Sequence, residues 1–133
     1  MNTLRVLLVC HISSEIGIGH LSRLLALAET LRKDNNVIPE FLIFGDFIKK
    51  DELANFNIHA FSLTDDFIDT IENILKISNF DTLIFDLYPE HNIDNLGKIF
   101  VQLKRRNIYL ISIDSLIEHC NILDIIWMPS FNF

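Results

Sequence analysis

The chain has 133 residues, half of them apolar, with eleven Phe but only four Gly and three Pro. That profile implies one packed domain burying roughly two-thirds of its unfolded surface, and it excludes a disordered tail. Eleven basic against eighteen acidic residues leave a net charge of −7, which sets the overall field against a phosphate backbone and excludes nucleic acid as an expected partner.

Met1-Asn2-Thr3-Leu4-Arg5 leads into a short apolar run with no small-residue cleavage site after it, and no stretch reaches the length of a membrane span. A soluble, unexported, cytoplasmic protein is expected. Val6 to Cys10 is a continuous apolar run, as in a central strand covered on both faces. From His20 to Lys33, Leu21, Leu24, Leu25, Leu27, Ala28 and Leu31 recur at helical spacing, with Arg23, Glu29, Arg32 and Lys33 largely opposite. Glu40 to Phe44 reads as a strand, Phe47 to Asn55 as a short helix, His59 to Leu63 as a short strand and Asp65 to Ile77 as a helix. Thr82 to Asp86 is another buried strand and Asn92 to Arg106 a helix. Tyr109 to Ile113 reads as a strand, Ser115 to Asn121 as a helical turn and Ile125 to Met128 as a final strand. Lys104-Arg105-Arg106 closes its helix where cations complement the dipole, so it is not read as a binding patch.

Strands alternating with helices predict right-handed crossovers, hence a Rossmann-like three-layer α/β/α domain with a mostly parallel sheet. No linker, repeat or low-complexity stretch divides the chain, so residues 1–133 are read as a single domain. Its last strand ends near the C-terminus, which leaves two readings: a complete domain, or one half of a larger protein.

In open α/β sheets ligands bind beyond the carboxyl ends of the strands. After the first strand, His11 to His20 place two of the four glycines, Gly17 and Gly19, in one strand-to-helix loop with Ile18 between them. Glycines there permit positive φ and close backbone approach. The helix start that follows suits an anion or a polarised oxygen, and its dipole disfavours an imidazolium at His20, which fits that residue for a base role. Turn-making glycines and a capping histidine are the alternative reading. Asp86-Leu87-Tyr88 follows the fourth strand, where Tyr88 could orient a substrate and Asp86 either faces the site or caps the turn before Pro89. Asp114 ends the next strand, with Ser115 a candidate N-cap. His11, Ser13 and Ser14 could also touch a ligand.

Cys10 and Cys120 show no C-x-x-C, and His59, His91 and His119 lack ligand spacing, so no disulfide framework, metal site or cofactor is expected. The loop has Ser22 where the dinucleotide fingerprint has its third glycine, which disfavours tightly bound NAD.

Ile16 to Ala28, with its G-x-G-H-x-x-R pattern, resembles the helix start of the UDP-2,4-diacetamido-2,4,6-trideoxy-β-L-altropyranose hydrolases of pseudaminic acid synthesis, relatives of the GT-B glycosyltransferases. Asp86-Leu87-Tyr88 resembles that family's D-x-Y, and Ile113-Asp114 with Asp124-Ile125-Ile126 its I-D-D and following strand. The pattern departs after the first strand, where His11-Ile12-Ser13 replaces an Asp-containing segment, at Leu24, where a Cys is common, and at Ser115. The resemblance implies half of a GT-B fold, the N-terminal domain of a nucleotide-sugar hydrolase or glycosyltransferase, with a second Rossmann-like domain as partner. It implies His20 as the base that activates water or an acceptor hydroxyl at the anomeric carbon of a UDP-sugar, with Tyr88 nearby. Gly17, Ile18, Gly19, Arg23, Asp86 and Asp114 then face nucleotide-sugar or acceptor. A non-catalytic module binding a small ligand or a protein is the alternative.

Overall fold

A computed structural model describes residues 3–12, 19–45, 51–87 and 96–128, the side chains of 51 and 52 aside. In chain order the elements are β1 (Leu4–Ile12), α1 (Gly19–Arg32), β2 (Val37–Gly45), a 3-10 turn (Asp51–Asn55), β3 (Asn57–Phe61), α2 (Phe67–Ile77) and β4 (Thr82–Asp86). Then follow α3 (Leu96–Arg105), β5 (Tyr109–Ile113), a second 3-10 turn (Ile117–His119) and β6 (Ile125–Trp127). All five pairings are parallel, in the order β3-β2-β1-β4-β5-β6. This is a Rossmann-like α/β fold. The order reverses between β1 and β4, and at such a switch point the connections diverge and leave a crevice beyond the strand ends.

Each face of the sheet carries its own core. Val6, Leu8, Cys10 and Ile12 of β1 pack with Phe41, Ile43 and Ile84 beneath the Leu21, Leu24, Leu25 and Ala28 stripe of α1. Leu7 and Val9, one residue out of phase, pack with Leu42, Phe44, Leu83 and Phe85 beneath α2 and α3. Alternate side chains of one strand thus enter two hydrophobic layers, which is why β1 reads as an unbroken apolar run.

Several boundaries differ from the sequence reading for local reasons. The expected helix Phe47 to Asn55 is described only from Asp51, and there it is a 3-10 turn. Expected over His59 to Leu63, β3 lies two residues earlier, because the Ser62 amide donates to Asp65 Oδ2 at 2.8 Å and turns the chain away. Asp66, not Asp65, caps α2, accepting from the Asp69 amide at 2.9 Å. Asn92 to Asn95, expected to open α3, lie outside the described residues. Pro39 is buried in an interior strand, yet β3 pairing begins only at Glu40. At Pro39 the strand is still an edge, where a missing N–H is tolerated. Glu40 itself is buried and paired with Arg5, whose guanidinium also lies over the Phe80 ring.

Gly45 is the glycine on which the strand ends depend. Its φ is +138°, and a Cβ there would sit 1.6 Å from the Ile12 carbonyl oxygen. Ile12 and Gly45 are the last register partners of β1 and β2, so this close approach closes the pairing just below the ligand-facing edge.

Candidate functional site

Four of the residues singled out from the sequence meet at that edge. His20 and Arg23 stand on the first turn and a half of α1, Asp86 is the last residue of β4, and Asp114 follows the last residue of β5. Parallel pairing puts the carboxyl ends of β1, β4 and β5 side by side, with Cys10 in register with Asp86. Helical spacing of three residues then aims His20 and Arg23 at the same target.

Asp86 is completely buried and is the centre of the cluster. Its Oδ1 lies 2.5 Å from His20 Nδ1 and accepts from Arg23 Nη2 at 2.7 Å, while Oδ2 accepts from Arg23 Nε at 2.7 Å. The guanidinium thereby meets the carboxylate fork to fork, the geometry that gives charge-assisted hydrogen bonds both strength and direction. Arg23 Nη1 continues to Asp114 Oδ2 at 3.2 Å. Hydrogen bonding to Asp86 pushes the Arg23 pKa above its ordinary value against opposing burial, with the charges of both carboxylates adding to it.

The ring of His20 is about one-fifth exposed. An ionised carboxylate only accepts, so Nδ1 is the protonated nitrogen and the lone pair is on Nε2. This arrangement orients the imidazole, as an aspartate does in hydrolytic triads.

Asp114 adopts φ 58°, and Leu116, two residues on, φ 64°. Left-handed backbone at two non-glycine residues is held by the pairing of buried Ser112 and Ser115: Ser112 Oγ donates to the Ser115 carbonyl at 2.7 Å. The Asp114 amide is also fixed, donating to the Trp127 carbonyl at 2.8 Å. Ser115 does not cap the following turn as expected, because its hydroxyl turns inward toward Ser112 and the Ile113 carbonyl; Leu116 occupies the cap position without a side-chain bond. Nothing in the sequence marked this serine pair except two hydroxyls three residues apart beside an apolar strand.

Other expectations need correction. His11 is buried, with its ring 6.0 Å from those of Phe44 and Phe67. Gly19 does not use the left-handed backbone open to glycine: it is the first residue of α1, and a Cβ there would meet nothing within 4 Å. Lys104 and Arg105 stand in the last turn of α3 as expected, and Lys104 makes a two-point contact with Asp124, 2.8 and 2.7 Å. Burial opposes ionisation of Asp124, but the bonds from Lys104 and the Leu110 amide outweigh it and hold the carboxyl below its usual range. Gly17, Ile18, Ser13, Ser14, Tyr88 and His91 lie outside the described residues. Among the described residues no group of three or more His, Cys, Asp or Glu is placed to hold a metal ion, and no helix is long and apolar enough to cross a membrane.

No protein-family model matches the sequence, and no curated protein matches it. Among solved structures, the chain is similar to the homoserine dehydrogenase of S. aureus, with a TM-score of 0.52 and 12% sequence identity over 96% of this chain. The likeness covers 32% of the dehydrogenase, so the chain spans about a third of that protein's length. At such an identity the comparison establishes a shared Rossmann-like fold.

Proposed function

We propose that this domain is the acceptor-side half of a nucleotide-sugar enzyme of GT-B type, in which His20 removes a proton from water or from a sugar hydroxyl attacking the anomeric carbon of a UDP-sugar. The observation that carries the proposal is the shared carboxylate of Asp86, which accepts from both His20 and Arg23 at the switch-point edge. A histidine backed by a buried aspartate is a general base with a fixed tautomer. The sugar nucleotide itself comes from the G-x-G-H-x-x-R resemblance of residues 17–23.

Charge favours a neutral group at the base. Among the described residues, and with His20 neutral, the carboxylates of Asp86 and Asp114 outnumber the one guanidinium of Arg23, a local excess of negative charge that suits a hydroxyl or water better than a phosphate. The diphosphate is therefore assigned to a second domain, and the hydroxyl to be deprotonated to this one. Gly19, with open space where a side chain would stand, gives the reacting group room to approach. Tyr88, outside the described residues and two positions after the end of β4 in the sequence, is proposed to orient the same group.

The test is UDP release from UDP-sugars by the protein together with its nucleotide-binding domain, with and without acceptor alcohols. Release without acceptor identifies the hydrolase, and release only with acceptor the transferase. His20→Asn is expected to lower turnover by about two to four orders of magnitude with folding intact. Undiminished turnover in that variant overturns the reading.

A further inference from the structure

One oxygen of Asp86, Oδ1, serves both His20 Nδ1 and Arg23 Nη2, and the other serves Arg23 Nε. A carboxylate that faced the histidine alone would spend its charge on the ring and hold the imidazolium tightly. A base that keeps its proton cannot turn over. Here two of the three carboxylate contacts go to the guanidinium, and Arg23 is in turn anchored by Asp114 Oδ2 through Nη1.

We propose that Arg23 acts on His20 through the carboxylate they share, drawing charge from Asp86 so that the proton taken up at Nε2 is held more loosely than an unassisted aspartate–histidine pair would hold it. Arg23 is then a positioning residue: it orients Asp86 and sets how strongly that group backs the base. This rests on the reading of His20 as the base for its purpose, though not for its measurement.

The other charged and titratable groups around the cluster fit the assignment. Asp86 comes from β4 and Asp114 from the end of β5, the latter bonded to Arg23 Nη1. From β1 comes Cys10, the register partner of Asp86, whose thiol burial pushes up, with the charge of Asp86 adding to the shift. It stays neutral and supplies no competing charge. Arg23 is the cation through which the pair is adjusted.

The experiment is a ring-nitrogen NMR titration of His20 in the 133-residue chain, its resonance identified by its loss in His20→Asn. In Arg23→Gln the titration midpoint is expected to rise by about one pH unit or more, since a cation beside the carboxylate has been removed, while Nδ1 remains the protonated nitrogen. In Arg23→Lys the charge is kept but the two-point contact is lost, and the midpoint is expected to lie between those of parent and Gln variant. Should Arg23→Gln fail to fold, the Lys variant carries the test alone, with a smaller rise. A purely structural Arg23 predicts the opposite sign: with Asp86 no longer held, the ring loses its partner and the midpoint falls. A midpoint that falls or stays put overturns the proposal. Because the titration needs no substrate, absent UDP-sugar activity would remove the proposed function and leave this inference standing, and the reverse holds equally.

Discussion

At the scale of single residues, the two cysteines have opposite environments. Cys10 is fully buried in β1 and its thiol is pushed up by burial and then by the charge of Asp86, whereas Cys120 is exposed. The thiolate is the species that reacts, so burial and neutrality both protect Cys10. Iodoacetamide at pH 7 is expected to modify one thiol per chain in the native protein and two in guanidinium chloride, read by intact mass. Two rapid modifications without denaturant would contradict this environment. Arg23 shows how far a residue's role can depart from its sequence context. By periodicity it sits on the polar face of an amphipathic helix, as any solvated arginine would. Its contacts instead run to a buried carboxylate 63 positions away and to a second one 91 positions away, distances over which hydrophobic periodicity carries no information.

At the scale of elements, Gly45 invites the sharpest test. The Ile12 carbonyl is backbone within a paired strand and cannot swing aside as a side chain would, so Gly45→Ala combines a clash with a φ that L-residues avoid. Urea unfolding is expected to show a loss of about 1–3 kcal/mol. An unchanged midpoint would mean that the ends of β1 and β2 separate without cost. Most elements were legible in the sequence: β4 and β5 match their expected bounds residue for residue, β6 is one residue shorter, β1 and β2 are longer at both ends and β3 lies two residues earlier. Burial on both faces left strong apolar runs, and Asp and Asn marked the stops. The sequence underspecified β3, because its end is set by the bond from the Ser62 amide to Asp65 rather than by hydropathy. Of the two glycines that the loop pattern marks, Gly17 lies outside the described residues and Gly19 has ordinary helical backbone, while the one with demonstrable need of glycine among those described is Gly45, isolated between a Phe and an Asp.

At the scale of the whole molecule, the cluster around Asp86 is also a tie between distant parts of the chain, joining the start of α1 to the ends of β4 and β5. Removing the buried Asp86 carboxylate takes a two-point partner from Arg23, which is 27% exposed and keeps Asp114, and costs about 1–3 kcal/mol, an appreciable share of the roughly 5–15 kcal/mol by which domains are stable. Asp86→Ala is therefore expected to lower the urea midpoint sharply. His20→Ala, which leaves the Arg23–Asp86 fork intact, is expected to cost less than about 1 kcal/mol. Equal losses in the two variants would show that the fork contributes no more than the histidine contact. The sequence located the edge on which these residues lie, since the strand ends follow from the alternation of elements. It did not reveal that they touch, because that depends on β4 being laid directly against β1. The same arrangement orders events during synthesis. His20 and Arg23 leave the ribosome long before their carboxylate, which is 66 positions beyond the ring, and the Ser112–Ser115 turn that presents Asp114 comes later still. A nascent chain halted before Thr82 holds the imidazole without the carboxylate it meets in the folded domain, so the cluster is assembled only as the sheet is completed.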